Sequence, residues 1–257
     1  MKDSQPEKQR KTRLDKGQVQ ATRRDLSCLA WIAEQYVARG DQIRRLLSRF
    51  RDPKHPYADG ELMALTTLKD QINRWRKAGW VNYYRVLADE PGYCWVTKAG
   101  LQLVGLDDIY VARQPAGIRL DHLYAVNQVR LGLDQKYPWK SERRYRTEEL
   151  RKLKKGESLA VIPDGLMTTA EGRIAVEVEM SQKKPAELRA KLQRLIQRLD
   201  WNDEGMMRPV FPRIWVYVPS ERMERLVASA IADLPKADQR RVAVEVQTDL
   251  LASKYRR

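Results

Sequence analysis

Apolar residues at Leu26, Leu29, Ala30, Ala33, Tyr36 and Val37 fall three or four positions apart, the spacing that lines one face of an α-helix, and so predict a helix over 21–39. Thr22 can cap its start, because a threonine hydroxyl accepts from a free N–H of the first turn, and Gly40 can end it. A second helix follows over 41–50, with Ile43, Leu46 and Leu47 inward. The stretch 51–60, with Pro53, His55 and Pro56, breaks the pattern, and His55 in such a loop reads as a surface residue. A third helix is predicted over 66–78, with Leu68, Ile72 and Trp75 on its apolar side and Lys69, Asn73, Arg76 and Lys77 turned outward. The period then changes. Residues 80–86 and 93–97 alternate about the turn Asp89-Glu90-Pro91-Gly92 and predict a β-hairpin, in which Trp80, like Trp75 before it, reads as core. Residues 98–106 predict a closing helix, and 107–117, with Pro115, a junction.

The second half mixes both periods. Residues 119–133 predict a helix carrying His122 and Asn127, and 139–146 a strand. Two β-prone apolar runs, 159–162 and 174–180, flank a polar turn containing Ala170-Glu171-Gly172 and predict a hairpin. In the second run Ala175, Glu177, Glu179 and Ser181 share one face, while Ile174, Val176, Val178 and Met180 share the other. Pro185 then stands in the first turn of a helix with Leu188, Leu192, Leu195 and Leu199 as its apolar stripe and Arg189, Lys191, Arg194 and Arg198 elsewhere. A buried strand over 213–218, an amphipathic helix over 221–234 and a last strand over 241–247 complete an α/β order. The expected organisation is a basic flexible tail (1–20), one domain over 21–112 and a second over 113–257.

Composition narrows the function. At 257 residues the chain can bury one large or two modest cores, and a net charge of +15 calls for an anionic partner, nucleic acid first, although basicity alone would also suit an acidic lipid or protein. Double-stranded DNA is the nucleic acid expected from the outer face of the third helix. The stretch 140–155 holds eight basic residues against three acids, the densest positive charge in the sequence. No apolar run reaches the ~20 residues that span a bilayer, so a cytoplasmic protein without a membrane partner is expected. Cys28 and Cys94 have no Cys or His at metal-ligand spacing and read as small core residues, and no Gly-rich phosphate loop is present.

The candidate chemistry lies in the central hairpin. Asp164 stands across from Glu177 and Glu179 if the strands pair in register, and carboxylates gathered in this way repel unless a cation, a base or solvent relieves them. A hard ion such as Mg²⁺ or Mn²⁺ takes one or two carboxylates together with substrate phosphate. Pro163-Asp164 followed by Glu177-x-Glu179 resembles the core of the PD-(D/E)xK nuclease superfamily. Within it, His122-Leu-Tyr-Ala-Val-Asn127, Trp139-x-Ser141-Glu142-Arg143, Pro163-Asp164-Gly165 and Glu177-x-Glu179-x-Ser181-x-Lys183 resemble the replication-relaxation family, related to plasmid mobilisation accessory proteins. That resemblance implies a restriction-endonuclease-like mixed sheet with flanking helices, a metal held by Asp164 and Glu177, and a relaxase or another mobilisation protein as partner. It departs at one place: the superfamily's Lys, two residues or about 6.6 Å beyond the Glu, is replaced by Glu179. Glu179 would then serve as third ligand or base, and Lys183 as a late substitute, although an extended strand leaves it roughly 20 Å from Glu177 and about 13 Å from Glu179.

The first half resembles a winged helix-turn-helix domain, with the third helix running into the wing at Arg74-Trp-Arg-Lys-Ala-Gly-Trp-Val81. Such a helix enters the major groove, with Asn73 and Arg76 toward base edges and Lys69, Lys77 and the wing's Arg85 toward phosphates. Arg143 and Arg144 in the basic stretch join these as candidate DNA contacts. Two readings stand side by side: a Mg²⁺-dependent DNA endonuclease or nickase of plasmid or mobile-element processing, and a non-catalytic accessory protein or transcription regulator, with a homodimer compatible with either.

Overall fold

The first helix, α1 (Arg23–Glu34), opens where expected: the Thr22 hydroxyl accepts from the Asp25 N–H, and the Asp25 carboxylate takes the Thr22 N–H in return. This is a computed structural model, and it describes residues 19–51, 62–86, 88, 90–114, 117–201 and 204–250. The predicted tail, save Val19 and Gln20, and the loop carrying His55 lie outside the described residues. α1 ends earlier than its periodicity suggests. Tyr36 takes a left-handed backbone (φ 68°), Ala38–Arg39 form a short strand, β1, and Gly40 begins α2 (Gly40–Arg49) instead of ending α1. The apolar spacing misled because Val37 is buried against a different cluster, with Tyr93, Trp95, Leu120 and Leu123, not against the core that α1 covers.

α3 (Leu65–Lys77), β2 (Val81–Tyr84), β3 (Tyr93–Val96) and α4 (Lys98–Leu103) follow close to expectation. Both neighbours of β3 run antiparallel to it, in the order β1-β3-β2. Trp75, at 0% exposure, and Trp80 belong to one core with Leu29, Ile43, Leu47 and Leu68. Buried Asp25 fixes α3 on α1 by accepting from Gln71 Nε2 (2.9 Å) and Trp75 Nε1 (3.0 Å) and by pairing with Arg74.

The rest of the chain comprises α5 (Gly117–Leu133), β4 (Trp139–Ser141), α6 (Glu142–Lys152), β5 (Gly165–Thr169), β6 (Gly172–Val178), α7 (Pro185–Ile196), the small hairpin β7 (Leu199–Trp201) and β8 (Met207–Pro209), β9 (Arg213–Val218), α8 (Glu221–Ala232), α9 (Lys236–Gln239) and β10 (Val242–Val246). Its sheet has the order β10-β9-β6-β5-β4, with β4, β5 and β6 antiparallel and β6, β9 and β10 parallel. α5 packs Ala125, Val126 and Val129 on the face bearing Ile174, Val176 and Val178. On the opposite face Leu188, Leu192 and Leu195 of α7 meet Leu166, Ala175 and Ile214. The chain is therefore of mixed α/β class.

Two expectations in this half fail. Residues 159–162 form no strand; the hairpin turns tightly at Ala170-Glu171, with Gly172 at φ 114°, so the residues that pair with β6 are those immediately before the turn, from Thr169↔Gly172 to Gly165↔Val176. Val161 and Ile162 spend their apolar character against the α7-side core instead. The strand expected over 139–146 stops at Ser141, whose hydroxyl accepts from the Arg144 N–H and starts α6.

α5 joins the two halves through polar groups. Asn127 Nδ2 donates to the Val37 carbonyl (2.8 Å) and to Gln42 Oε1 (3.1 Å), and Gln42 Nε2 donates to the Tyr124 carbonyl (2.9 Å). Asp134 accepts from Trp31 Nε1 and Arg49 Nη1 (2.6 Å each), and Arg130 Nη2 pairs with Glu34 (2.8 Å).

Candidate active site

Asp164 stands immediately before β5, at the end of the sheet where β6 leaves it. Its Oδ2 accepts from the Val178 N–H (2.8 Å), and its Oδ1 lies 2.9 Å from Nε2 of His122, which reaches in from α5. Glu177 projects from β6 toward α7 and is 2% exposed. Lys191 of α7 ion-pairs with Glu177 Oε2, while Glu177 Oε1 has no hydrogen-bond partner among the described residues. The site thus draws one group from each side of the sheet, His122 and Lys191, onto two carboxylates held at one end of its inner strands β5 and β6.

Glu179 and Lys183 go elsewhere. The strand ends at Val178, and the turn that follows folds Lys183 Nζ onto Glu179 Oε2 (2.6 Å), while Glu179 Oε1 accepts from the Ser181 N–H (3.1 Å) and hydroxyl (2.8 Å). Glu179 is therefore satisfied within its own turn, and the ammonium beside Glu177 belongs to Lys191. The sequence held one signal for this. Lys191 directly precedes Leu192 of the apolar stripe, at the border of the buried face, where a lysine can turn its head back to the sheet.

The charges are strongly coupled. Burial and the neighbouring Asp164 charge push the Glu177 carboxyl up to about 8, even with Lys191 opposing the shift. Burial would also raise Asp164, but His122, Lys191 and the Val178 N–H hold it well below the usual carboxylate range. Burial pulls the Lys191 and His122 values down, and the carboxylates more than offset it, so both are raised. For His122 the sign is definite: a folded-state pKa above the unfolded value contributes stability below about pH 6.5 that is lost as pH rises through the folded value. In thermal melts, the advantage of the wild type over His122→Gln is expected to shrink as pH is raised above that point.

Asp164 and Glu177 offer the donors that a hard divalent ion takes: both are carboxylates, and buried Glu177 Oε1 has no hydrogen-bond partner among the described residues. Two carboxylates leave further positions for water and phosphate, the usual arrangement for Mg²⁺. Among the described residues no group of three or more His, Cys, Asp or Glu side chains forms a cage made of protein alone. The position of Asp164 also depends on its neighbour. A Cβ on Gly165 would fall 2.0 Å from the Trp139 indole, so β4 can lie against β5 only without a side chain there. Gly165→Ala is expected to cost about 1–3 kcal/mol, the range for overpacking, read as a fall in Tm of several degrees.

On the other half, Lys69, Asn73, Arg76 and Lys77 of α3 are exposed and make no ion pair among the described residues. Asn73, Arg76 and Lys77 line a cleft of about 800 Å³ closed at one side by Val81 and Asn82. Arg85, just past β2, is exposed and donates to the Ala88 carbonyl. Arg143 does not belong with them. It is 0% exposed, donates to the Ala33 and Tyr110 carbonyls, and lies 5.1 Å from the ring centroids of both Tyr36 and Tyr110. Arg144 is partly exposed and faces Asp108 at 3.9 Å. Much of the dense charge of 140–155 is likewise matched, Lys140 by Glu148, Arg146 by Glu142, Arg151 by Asp108 and Lys152 by Glu149. Cys28 and Cys94 are free and buried, as core residues.

No protein-family model, curated protein or solved structure matches this chain. Among the described residues no helix is long and apolar enough to cross a membrane.

Proposed function

We propose that this protein binds duplex DNA through α3 and hydrolyses a phosphodiester at Asp164, Glu177 and Lys191. The observation that carries the reading is the ion pair between Lys191 and buried Glu177, beside Asp164. In sequence the chain resembles a PD-(D/E)xK nuclease that lacks its lysine; an ammonium delivered from α7 to the same carboxylate supplies that charge by another route. The helix–strand order of the first half resembles a winged helix, and the unpaired outer face of α3 suits a major groove. Plasmid or mobile-element DNA, with a relaxase as partner, is the biological setting that the sequence motifs suggest.

Asp164 and Glu177 would hold Mg²⁺ or Mn²⁺, which when bound lowers the pKa of water and offsets charge on the phosphate. Lys191 keeps the Glu177 carboxylate in place and sets a positive charge where a phosphate oxygen would approach. His122 orients Asp164 through Oδ1 while the Val178 N–H fixes its other oxygen. One observation favours the non-catalytic alternative: Lys191 pairs with Glu177 and His122 with Asp164, contacts that a DNA-binding accessory protein or regulator could keep as a structural cluster. Supercoiled plasmid incubated in Mg²⁺ or Mn²⁺ separates the two. Conversion to open-circular or linear DNA by the wild type, and not in EDTA or by Asp164→Ala, supports hydrolysis; equal binding with no cutting supports the accessory protein.

A further inference from the structure

A groove of about 580 Å³ shares Lys191 with the acid cluster and is lined by Leu159, Ala160 and Val161 and by Lys191 and Arg194 of α7 with Gln197 and Arg198 just after it. Its basic residues differ in what they are free to do. Lys191 is committed to Glu177, and Arg198 is held by Glu149 and the Val161 carbonyl with its guanidinium 5.2 Å from the Tyr145 ring centroid. Arg194, between them, is exposed and makes no ion pair among the described residues. This sets it apart from the matched charges of 140–155. At 1.5 Å per residue, Lys191 to the end of α7 at Ile196 spans about 7.5 Å, the axial length of about two steps of one strand at 3.4 Å each. No aromatic side chain lines the groove among the described residues, so it offers a strand backbone contact without base stacking.

We propose that this groove holds one phosphodiester strand of DNA and that Arg194 leads it along α7 to Glu177. The proposal rests on the reading that Asp164 and Glu177 act on DNA, and it adds a second contact, separate from α3 and indifferent to sequence. An arginine that neutralises one phosphate contributes about 0.9 to the slope of log K against log salt. Arg194→Glu should therefore lower that slope by about 1 and weaken binding several-fold on duplexes of unrelated sequence, whereas Arg194→Lys, which keeps the charge, should retain both.

Proximity can be read directly. Cys28 and Cys94 are both 0% exposed, and burial raises both thiols, so a cysteine introduced at exposed Ala160 would be the accessible thiol of the chain. An iron–EDTA chelate tethered to Ala160→Cys in the full-length protein, in excess EDTA to silence metal-dependent hydrolysis, should cut bound duplex within one short window. The same chelate on Ser229→Cys of α8 should cut at least about fivefold less, and adding Arg194→Glu should remove the window. If the chelate at Ala160 cuts no more than that at Ser229 while Arg76→Ala still weakens binding, the groove carries no strand and the proposal is overturned, with the DNA-binding reading intact. If the wild type shows no salt-dependent binding to any duplex, the proposal and the reading fall together.

Discussion

Lys191→Ala is expected to lower the rate of plasmid cutting by about 10²–10⁴, as severely as Glu177→Ala. The expectation follows from the position of the ammonium. Lys191 is the cation paired with Glu177, a carboxylate at 2% exposure, and its removal leaves that acid buried against Asp164 with no positive charge on the α7 side. Lys183→Ala, in contrast, should change the rate little, because its ammonium serves Glu179 within the turn after β6. The two variants together decide which lysine acts. Loss with Lys183→Ala and retention with Lys191→Ala would contradict the proposed site. Loss of folding can be told apart from loss of chemistry by near-UV circular dichroism, and Lys191→Arg, which keeps the charge, should restore part of the rate.

The second large effect concerns stability. Arg143→Ala should destabilise the protein by about 3–5 kcal/mol, the size of effect seen when a large buried side chain and its hydrogen bonds are both removed. At roughly 2–4 °C per kcal/mol for a chain of this class, Tm should fall by on the order of 10 °C. The guanidinium donates at once to the Ala33 carbonyl near the end of α1 and to the Tyr110 carbonyl, against the neighbouring rings of Tyr36 and Tyr110. Arg143→Lys should recover little of the loss, because a single ammonium cannot reproduce a planar fork between two carbonyls. Were Arg143 a DNA contact, the pattern would reverse: Tm would hold and affinity would drop.

Arg143 also shows where reading the sequence stops. Its neighbours Lys140, Arg144 and Arg146 are basic, so local composition described a charged surface; only the tertiary fold reveals that residue 143 points into the body of the protein and the others meet Asp and Glu partners. Periodicity served well wherever one element faces one core, as in α3, whose Leu68, Ile72 and Trp75 are buried and whose Lys69, Asn73, Arg76 and Lys77 are exposed. It failed at Val37, whose helical spacing belongs to a second cluster, and at 159–162, where β-prone residues pack as a loop. The face that Glu177 takes was legible from the alternation of its strand; Asp164 was expected after a strand over 159–162 that does not form, and instead stands just before β5. Lys191 left only its place beside the apolar stripe as a sign, because the contact joins a strand to the helix after it and a linear pattern does not state how far a lysine head reaches.

α5 bears on how such a chain could be rearranged. Asn127, Arg130 and Asp134 take their partners from α1, α2 and the Val37 carbonyl, and Asn127 and Arg130 are 1% and 7% exposed. Cutting the gene between the halves would hand each product a surface of buried amides and ions with nothing to bind, at a cost of about 1–3 kcal/mol for each orphaned group. Exchange of either half for an unrelated module would meet the same barrier. In descent, the two halves are therefore constrained to travel as a pair, and a change on one side of this seam calls for an answering change on the other.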